Sequence, residues 1–149
     1  MTEPDAPTHQ PWSITLGELD RAMGVQVREQ SAEKVVLTMP VEGNRQSFGS
    51  LHGGASIAVA EAAGSWAANI YASTMGRSAV GIEVSASHHR AFADGTLIVT
   101  ATPIRLGRTL TTHSVDVVHE ETGKLVASVR ITNAVLGRPI PDSACGQDD

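Results

Sequence analysis

The sequence predicts an α+β, two-layer fold in which one long buried helix faces an antiparallel sheet. Three observations predict it. The stretch from Ala55 to Tyr71 is Ala-rich and apolar on nearly every side, and a helix of that kind belongs inside a protein or between subunits. After Gly76 come four β-like runs, Ala79 to Arg90, Thr96 to Leu106, Thr109 to His119 and Lys124 to Leu136. The turns between them, Ala93-Asp94-Gly95, Leu106-Gly107-Arg108 and Glu120 to Gly123, are short, which favours antiparallel neighbours. Aromatic residues make up only 3% of the chain. The core must therefore be built from Ala, Val, Leu and Ile, small enough for a sheet to wrap a helix closely.

Each element has a local reason. Leu16, Leu19 and Met23 share one face of a short helix, Leu16 to Met23. Thr15 and Glu18 have capping-box spacing, and Gly24 supplies a stop. Two strands follow, Val25 to Glu29 and Lys34 to Val41. Pro40 implies that the second ends there or lies at an edge. Glu42 to Gly54 is a loop rich in Gly, Ser and Asn. In the later runs Val115 and Val117 alternate with Ser114 and Asp116, and Val129 and Ile131 with Arg130 and Thr132. The expected organisation is one domain over 13–137, a loose N-terminal arm over 1–12 and a polar tail over 138–149.

Composition excludes several classes. A formal net charge of -5 argues against general nucleic-acid binding, which needs a basic surface, and a polyanionic ligand would need a local basic patch. The single cysteine, Cys145, rules out an intrachain disulfide and a cysteine metal site, and reads as a solvated tail thiol. No signal peptide is expected from the polar start, nor a membrane span from the interrupted helix, so a cytoplasmic protein is expected. There is no serine-hydrolase elbow, P-loop or dinucleotide fingerprint.

Glu61 is the discordant residue. In so apolar a helix it either marks an exposed stripe or finds a partner or does chemistry, and Ser65 lies one turn on, on the same face. His52-Gly53-Gly54 ends where the helix begins. Free backbone N–H groups and the positive helix end suit a polarised carbonyl oxygen there, although a tight turn explains Gly-Gly equally well. Gly53 and Glu61 lie eight residues apart, about 12 Å of rise on one helix. One helix cannot bring both to one carbonyl, but two antiparallel copies can, which suggests a two-fold dimer with two composite sites.

The stretch Gln46-Ser47-Phe48-Gly49-Ser50-Leu51-His52-Gly53-Gly54, then Glu61, then Ser65, resembles the hotdog-fold thioesterases. The similarity is to the branch of the Arthrobacter-type 4-hydroxybenzoyl-CoA, phenylacetyl-CoA, 1,4-dihydroxy-2-naphthoyl-CoA and enterobactin-pathway thioesterases. Val80 to Arg90, Leu106-Gly107-Arg108 and Thr132 to Leu136 are similar too; Ser85 departs, where many relatives carry Asn. The resemblance implies an acyl-CoA thioesterase, with aromatic acyl groups first and medium chains second. It implies no cofactor or metal, and a homodimer or a dimer-of-dimers homotetramer. It implies that the Gly53 N–H polarises the thioester carbonyl, that Gln46 orients it, and that His52 steadies the loop or contacts the thioester. Glu61 of the other subunit is then nucleophile or general base, with Ser65 holding it or the water.

Gly54, Phe48, His89, Arg90 and Arg108 are the candidate substrate-binding residues. His88 and His89, adjacent on a strand, should point to opposite faces, with one a candidate for the acyl pocket. Arg90 and Arg108 suit coenzyme A phosphates or are solvated strand-end arginines. His113 and His119 read as ordinary sheet or turn residues. The rival readings are a hotdog hydratase or dehydratase and a non-catalytic acyl-CoA-binding domain.

Overall fold

The computed structural model describes residues 10–142; Cys145 lies outside them. In chain order the elements are α1 (Glu18–Ala22), β1 (Gln26–Gln30), β2 (Val35–Pro40), α2 (Gly53–Ser73), β3 (Ser78–His88), β4 (Thr96–Leu106), β5 (Leu110–His119) and β6 (Leu125–Leu136). The six strands form one antiparallel sheet in the order β1-β2-β4-β5-β6-β3, wrapped around α2. This is the hotdog arrangement, and the expected α+β class holds.

The sheet closes on α2 because the helix presents small side chains to it. Val59, Ala60, Ala63, Gly64 and Ala67 are buried against Leu37, Met39, Leu97, Val99, Val115, Val117 and Ile131. Approach is tightest at Gly64, where an added Cβ would stand 3.0 Å from Ile131 Cγ1. The opposite face, Ile57, Ala58, Glu61, Ala62, Ser65, Trp66 and Asn69, is only half-buried. No described helix is long and apolar enough to cross a membrane.

Three sequence expectations need correction. The long helix starts at Gly53 rather than Ala55, because the first helical residue needs no intrahelical acceptor for its N–H and tolerates Gly. The short helix runs Glu18–Ala22. Its N-terminal contact is Gly17 N–H donating to Asp20 Oδ2 at 2.7 Å, in place of the expected Thr15–Glu18 box. Its end is a Schellman turn: Val25 N–H reaches Asp20 O and Gly24 N–H reaches Arg21 O, with Gly24 at φ 76°. Finally, Ala93-Asp94-Gly95 closes no hairpin. β3 pairs with β6 and β4 with β2 and β5, so residues 89–95 cross from one edge strand to the middle of the sheet. That crossing is pinned by Leu51 N–H to Phe92 O, His89 N–H to Val126 O and Arg45 Nε to Ala93 O. Pro40 closes β2 at Thr96 and lies inside the sheet, so it ends the strand.

His119 locks the far end of the sheet. Its ring stacks on Phe92 at 3.8 Å and bonds Thr122 Oγ1 and Asp94 O. His113 is fully buried on β5, and neither ring nitrogen has a partner among the described residues. Burial pushes its pKa from 6.5 down to about 4.

Unfolded, the His113 imidazole takes a proton below pH 6.5; folded, it resists one down to about 4. Its contribution is therefore intact above pH 6.5 and is lost as the pH falls from there to 4. Between pH 7 and pH 5 that loss is about 2 kcal/mol. Urea unfolding at the two pH values should show the acid sensitivity of His113→Leu smaller by about that amount; an unchanged difference between wild type and variant refutes it.

Candidate active site

The loop before α2 builds one wall of a cleft. Gln46 folds the loop back on itself: its N–H donates to Ser50 O, its Nε2 to Ser50 Oγ at 2.7 Å, and its Oε1 accepts from the Phe48 N–H. Arg45 bridges to Leu51, and the Asn44 amide ties Met23 O to Pro40 O. His52 is the N-cap of α2, its Nδ1 accepting from Gly54 N–H at 2.8 Å. This leaves Gly53 N–H as a donor without an acceptor among the described residues.

The cleft has a volume of about 390 Å³. Gln46, Ser50, Gly53, Ser56, His88 and Arg90 are among its lining residues. It gathers four of the sequence candidates: Gln46, Gly53, His89 and Arg90. The Gly53 backbone lies directly under His88, since an added Cβ would stand 3.1 Å from the imidazole Nε2. His89 lies just past the strand and bonds Ser128 Oγ at 2.9 Å. Both histidines line the cleft, contrary to the opposite-face expectation, because β3 stops at His88 and the alternation stops with it. Arg90 keeps one guanidinium nitrogen on Leu125 O and supplies a cation at the cleft.

Other candidates stand elsewhere in the chain. His52 and Gly54 line a separate groove with Asn44, Met23 and Ala58. Phe48 is 94% exposed at the loop tip. Arg108 sits in the β4–β5 turn, where Arg77 donates to its carbonyl, toward the end of the sheet remote from His88. Glu61 lies two turns along α2, half-buried, with its carboxylate over Gly81 of β3; an added Cβ there would meet Oε1 at 2.9 Å. Among the described residues Ser65 Oγ makes no hydrogen bond to Glu61; the Ser65 carbonyl instead accepts from Asn69 Nδ2.

Two features escaped the sequence. Ser56 is fully buried at the cleft with a hydroxyl that lacks a partner among the described residues; its spacing of three from Gly53 was the available signal. Asn69 holds α2 to the edge strand: its Oδ1 accepts from Ala79 N–H and its Nδ2 donates to Ala79 O, both at 2.9 Å. The amide thus covers the free edge of β3 at Ala79 and leaves the edge beyond it, toward His88, open. Val80 and Ile82 are large apolar residues exposed on that strand. A long, unpaired apolar edge is a surface that proteins otherwise protect. No cluster of His, Cys, Asp or Glu among the described residues could hold a metal ion.

The helix wrapped by one antiparallel sheet defines a hotdog-class protein. Residues 48–126 match the model of the thioesterase superfamily. The proofreading thioesterase EntH of Cronobacter turicensis is 38% identical over 127 residues, 84% of this chain and 90% of that protein. The crystal structure of thioesterase HI1161 from Haemophilus influenzae superposes with a TM-score of 0.74 at 34% identity, covering 79% of this chain and 82% of that one. The E. coli PaaI protein from the phenylacetic acid degradation operon gives 0.74 at 25% identity, covering 83% and 88%. The chain belongs to the thioesterase superfamily, and it is a thioester hydrolase.

His52→Ala removes the acceptor for Gly54 N–H and should cost about 1 kcal/mol in urea unfolding, with His52→Asn recovering most of it. Equal stability of the Ala and Asn variants would refute the capping role.

Proposed function

We propose that the chain hydrolyses an acyl-CoA, with aromatic acyl groups preferred, at two composite sites of a homodimer. One observation carries this reading. The Glu61 carboxylate lies over Gly81 near one end of β3, Gly53, whose N–H has no acceptor among the described residues, lies beside His88 at the other end, and the strand edge between them is open. If two β3 strands pair antiparallel with Gly81 opposite the partner's end of the strand, each carboxylate comes beside the other chain's helix N-terminus. The half-buried face of α2 faces the same seam. Two such dimers back to back give the homotetramer usual for this branch. We place the catalytic unit at 13–137, flanked by the 1–12 arm and the 138–149 tail, in the cytoplasm.

In this reading the thioester carbonyl oxygen accepts from Gly53 N–H, where the helix dipole and the fixed donor favour the oxyanion. The second Gln46 amide hydrogen, free of Ser50, orients the same oxygen. Glu61 from the other chain attacks the carbonyl carbon, or takes a proton from the water that does; Ser65 holds the carboxylate or that water. On the general-base route the tetrahedral intermediate collapses, the C–S bond breaks, and the thiolate takes a proton to leave as free coenzyme A with the carboxylic acid as the other product; on the nucleophilic route the same collapse leaves an acyl–Glu61 anhydride, which water hydrolyses to the carboxylic acid and free Glu61. His52 steadies the loop through its cap. Phe48, Gly54 and His89 contact the substrate. Arg90, at the cleft, and Arg108, from the chain that supplies Glu61, face the coenzyme A phosphates, which gives an acidic protein the local cations it needs. The aromatic preference is supported by the likeness to a protein of the phenylacetic acid degradation operon and by the branch the motif resembles.

Thiol release should be followed from benzoyl-, hydroxybenzoyl-, phenylacetyl- and octanoyl-CoA, with the highest kcat/KM on an aromatic substrate; octanoyl-CoA ahead of all three would remove the aromatic assignment. Glu61→Ala should lower kcat by about 10²- to 10⁴-fold, and wild-type turnover by that variant would end the catalytic assignment. Gly53 is the first residue of α2, a position that accepts proline, which removes the N–H. Gly53→Pro should therefore lose about 10²- to 10³-fold in kcat relative to Gly53→Ala, which keeps the donor and adds the same Cβ.

Refolding an equal mixture of Glu61→Ala and Gly53→Pro chains should restore activity to about a quarter of wild type, because half the dimers are mixed and each has one intact site. No recovery in a mixture shown to contain mixed dimers would refute the shared site.

A further inference from the structure

Asn133 is fully buried on β6 directly opposite Gly81 of β3. Its Nδ2 donates to Thr111 Oγ1 at 3.2 Å, and its Oδ1 has no partner among the described residues. An unsatisfied buried carbonyl oxygen is costly, and this one shares the space beside Gly81 with a carboxylate. From the place where a Gly81 Cβ would be, Asn133 Oδ1 is 3.7 Å away and Glu61 Oε1 2.9 Å away. The ladder is interrupted by a bulge between Gly81 and Glu83, which aims this part of the edge strand at the helix.

The same amide turned by half a rotation about its last torsion gives its oxygen a donor. Thr111 Oγ–H then donates to Oδ1, and Nδ2 turns toward the space over Gly81 with a hydrogen for the Glu61 carboxylate. Thr111 is itself fully buried, so its hydroxyl has no water to compete for the amide.

We propose that Asn133, backed by Thr111, is the positioning residue that holds the Glu61 side chain for reaction, and that Gly81 is glycine to leave room for their meeting. A buried amide suits this role because it donates to the carboxylate without adding a charge, and a strand in mid-sheet fixes it better than a loop would. Asn69 cannot serve, because both ends of its amide are committed to Ala79 and Ser65. The proposal rests on Glu61 being the reacting carboxylate.

The test compares Glu61→Ala, Asn133→Leu, Thr111→Val and the double variant Asn133→Leu/Thr111→Val as full-length oligomers, by thiol release and thermal melting. Asn133→Leu keeps the shape and removes the donor. It should lose about 10- to 100-fold in kcat with KM changed by less than about twofold and a melting temperature no lower than wild type. Thr111→Val should lose kcat in the wild-type background and nothing further in the Asn133→Leu background, because it acts through the amide. An inactive Glu61→Ala beside a fully active Asn133→Leu overturns this inference and leaves the proposed function standing; an active Glu61→Ala overturns both. Should Asn133→Leu fail to assemble, an unchanged kcat in Thr111→Val overturns the inference, and a selective loss of kcat supports it.

Discussion

A straight α-helix keeps residues eight positions apart about 12 Å from one another, and everything at this site follows from having the donor and the carboxylate on one such helix. The N-terminus of α2 is where uncommitted N–H groups and the positive end of the dipole lie. Two turns on, the helix meets the edge strand, and only there does Glu61 find a gap in the packing large enough for a carboxylate. Neither location can move without losing the property that makes it useful. In the proposed dimer symmetry resolves the separation, with an open strand edge laying one copy of the helix beside another. Glu61 and the face it shares with Ile57, Ala58 and Ser65 are half-buried in the single chain, which suits the proposed seam.

Precision then depends on how α2 is fixed to β3. Alanine and glycine let the sheet approach the helix until Gly64 touches Ile131, which removes slack along the helix axis. The Asn69 amide supplies the lateral tie by bonding Ala79 as a neighbouring strand would. At the other end the His52 cap and the Leu51–Phe92 bond register the helix start against the crossing segment that carries Arg90. A rigid helix held at both ends makes Gly53 N–H a prearranged donor, and prearrangement is what gives such donors their catalytic value. The same close packing explains three glycines at this end of the molecule. At Gly53, Gly54 and Gly81 the place of a Cβ is taken by a neighbouring side chain, respectively His88, His52 and Glu61.

What was legible in the sequence was whatever depends on periodicity and on local spacing. The bounds of β4 were read as they stand, those of β5 and β6 to within one residue, and the greasy helix declared itself. The helix start was missed by two residues because Gly53 and Gly54 have poor helical propensity, which matters little where no intrahelical bond is made. The β3–β6 pairing was illegible because a short Asp-Gly turn reads as a hairpin, and only the wrapping of the sheet around α2 sends β3 to the far edge. Misreading the pair of histidines had a related cause: alternation holds within a strand, and the strand ends between them. Gln46, Gly53, His89 and Arg90 could be placed near one cleft from the motif alone. Ser56 and Asn133 could not, since each acquires meaning only from what the fold sets opposite it.

The polar groups buried around the helix form two sets with different demands. His113 is a buried base without a partner among the described residues, and its depressed affinity for protons makes it a liability only in acid. Asn133 and Thr111, by contrast, sit where a carboxylate from the helix comes within reach, so their desolvation can be offset by binding a charge. In a core built mainly of Val, Ala, Leu and Ile, an aliphatic residue of the same volume at that position would pack without a lost hydrogen bond. A polar group retained against that alternative, one strand away from Glu61 and opposite the glycine that makes room for it, is best explained by the work the carboxylate does.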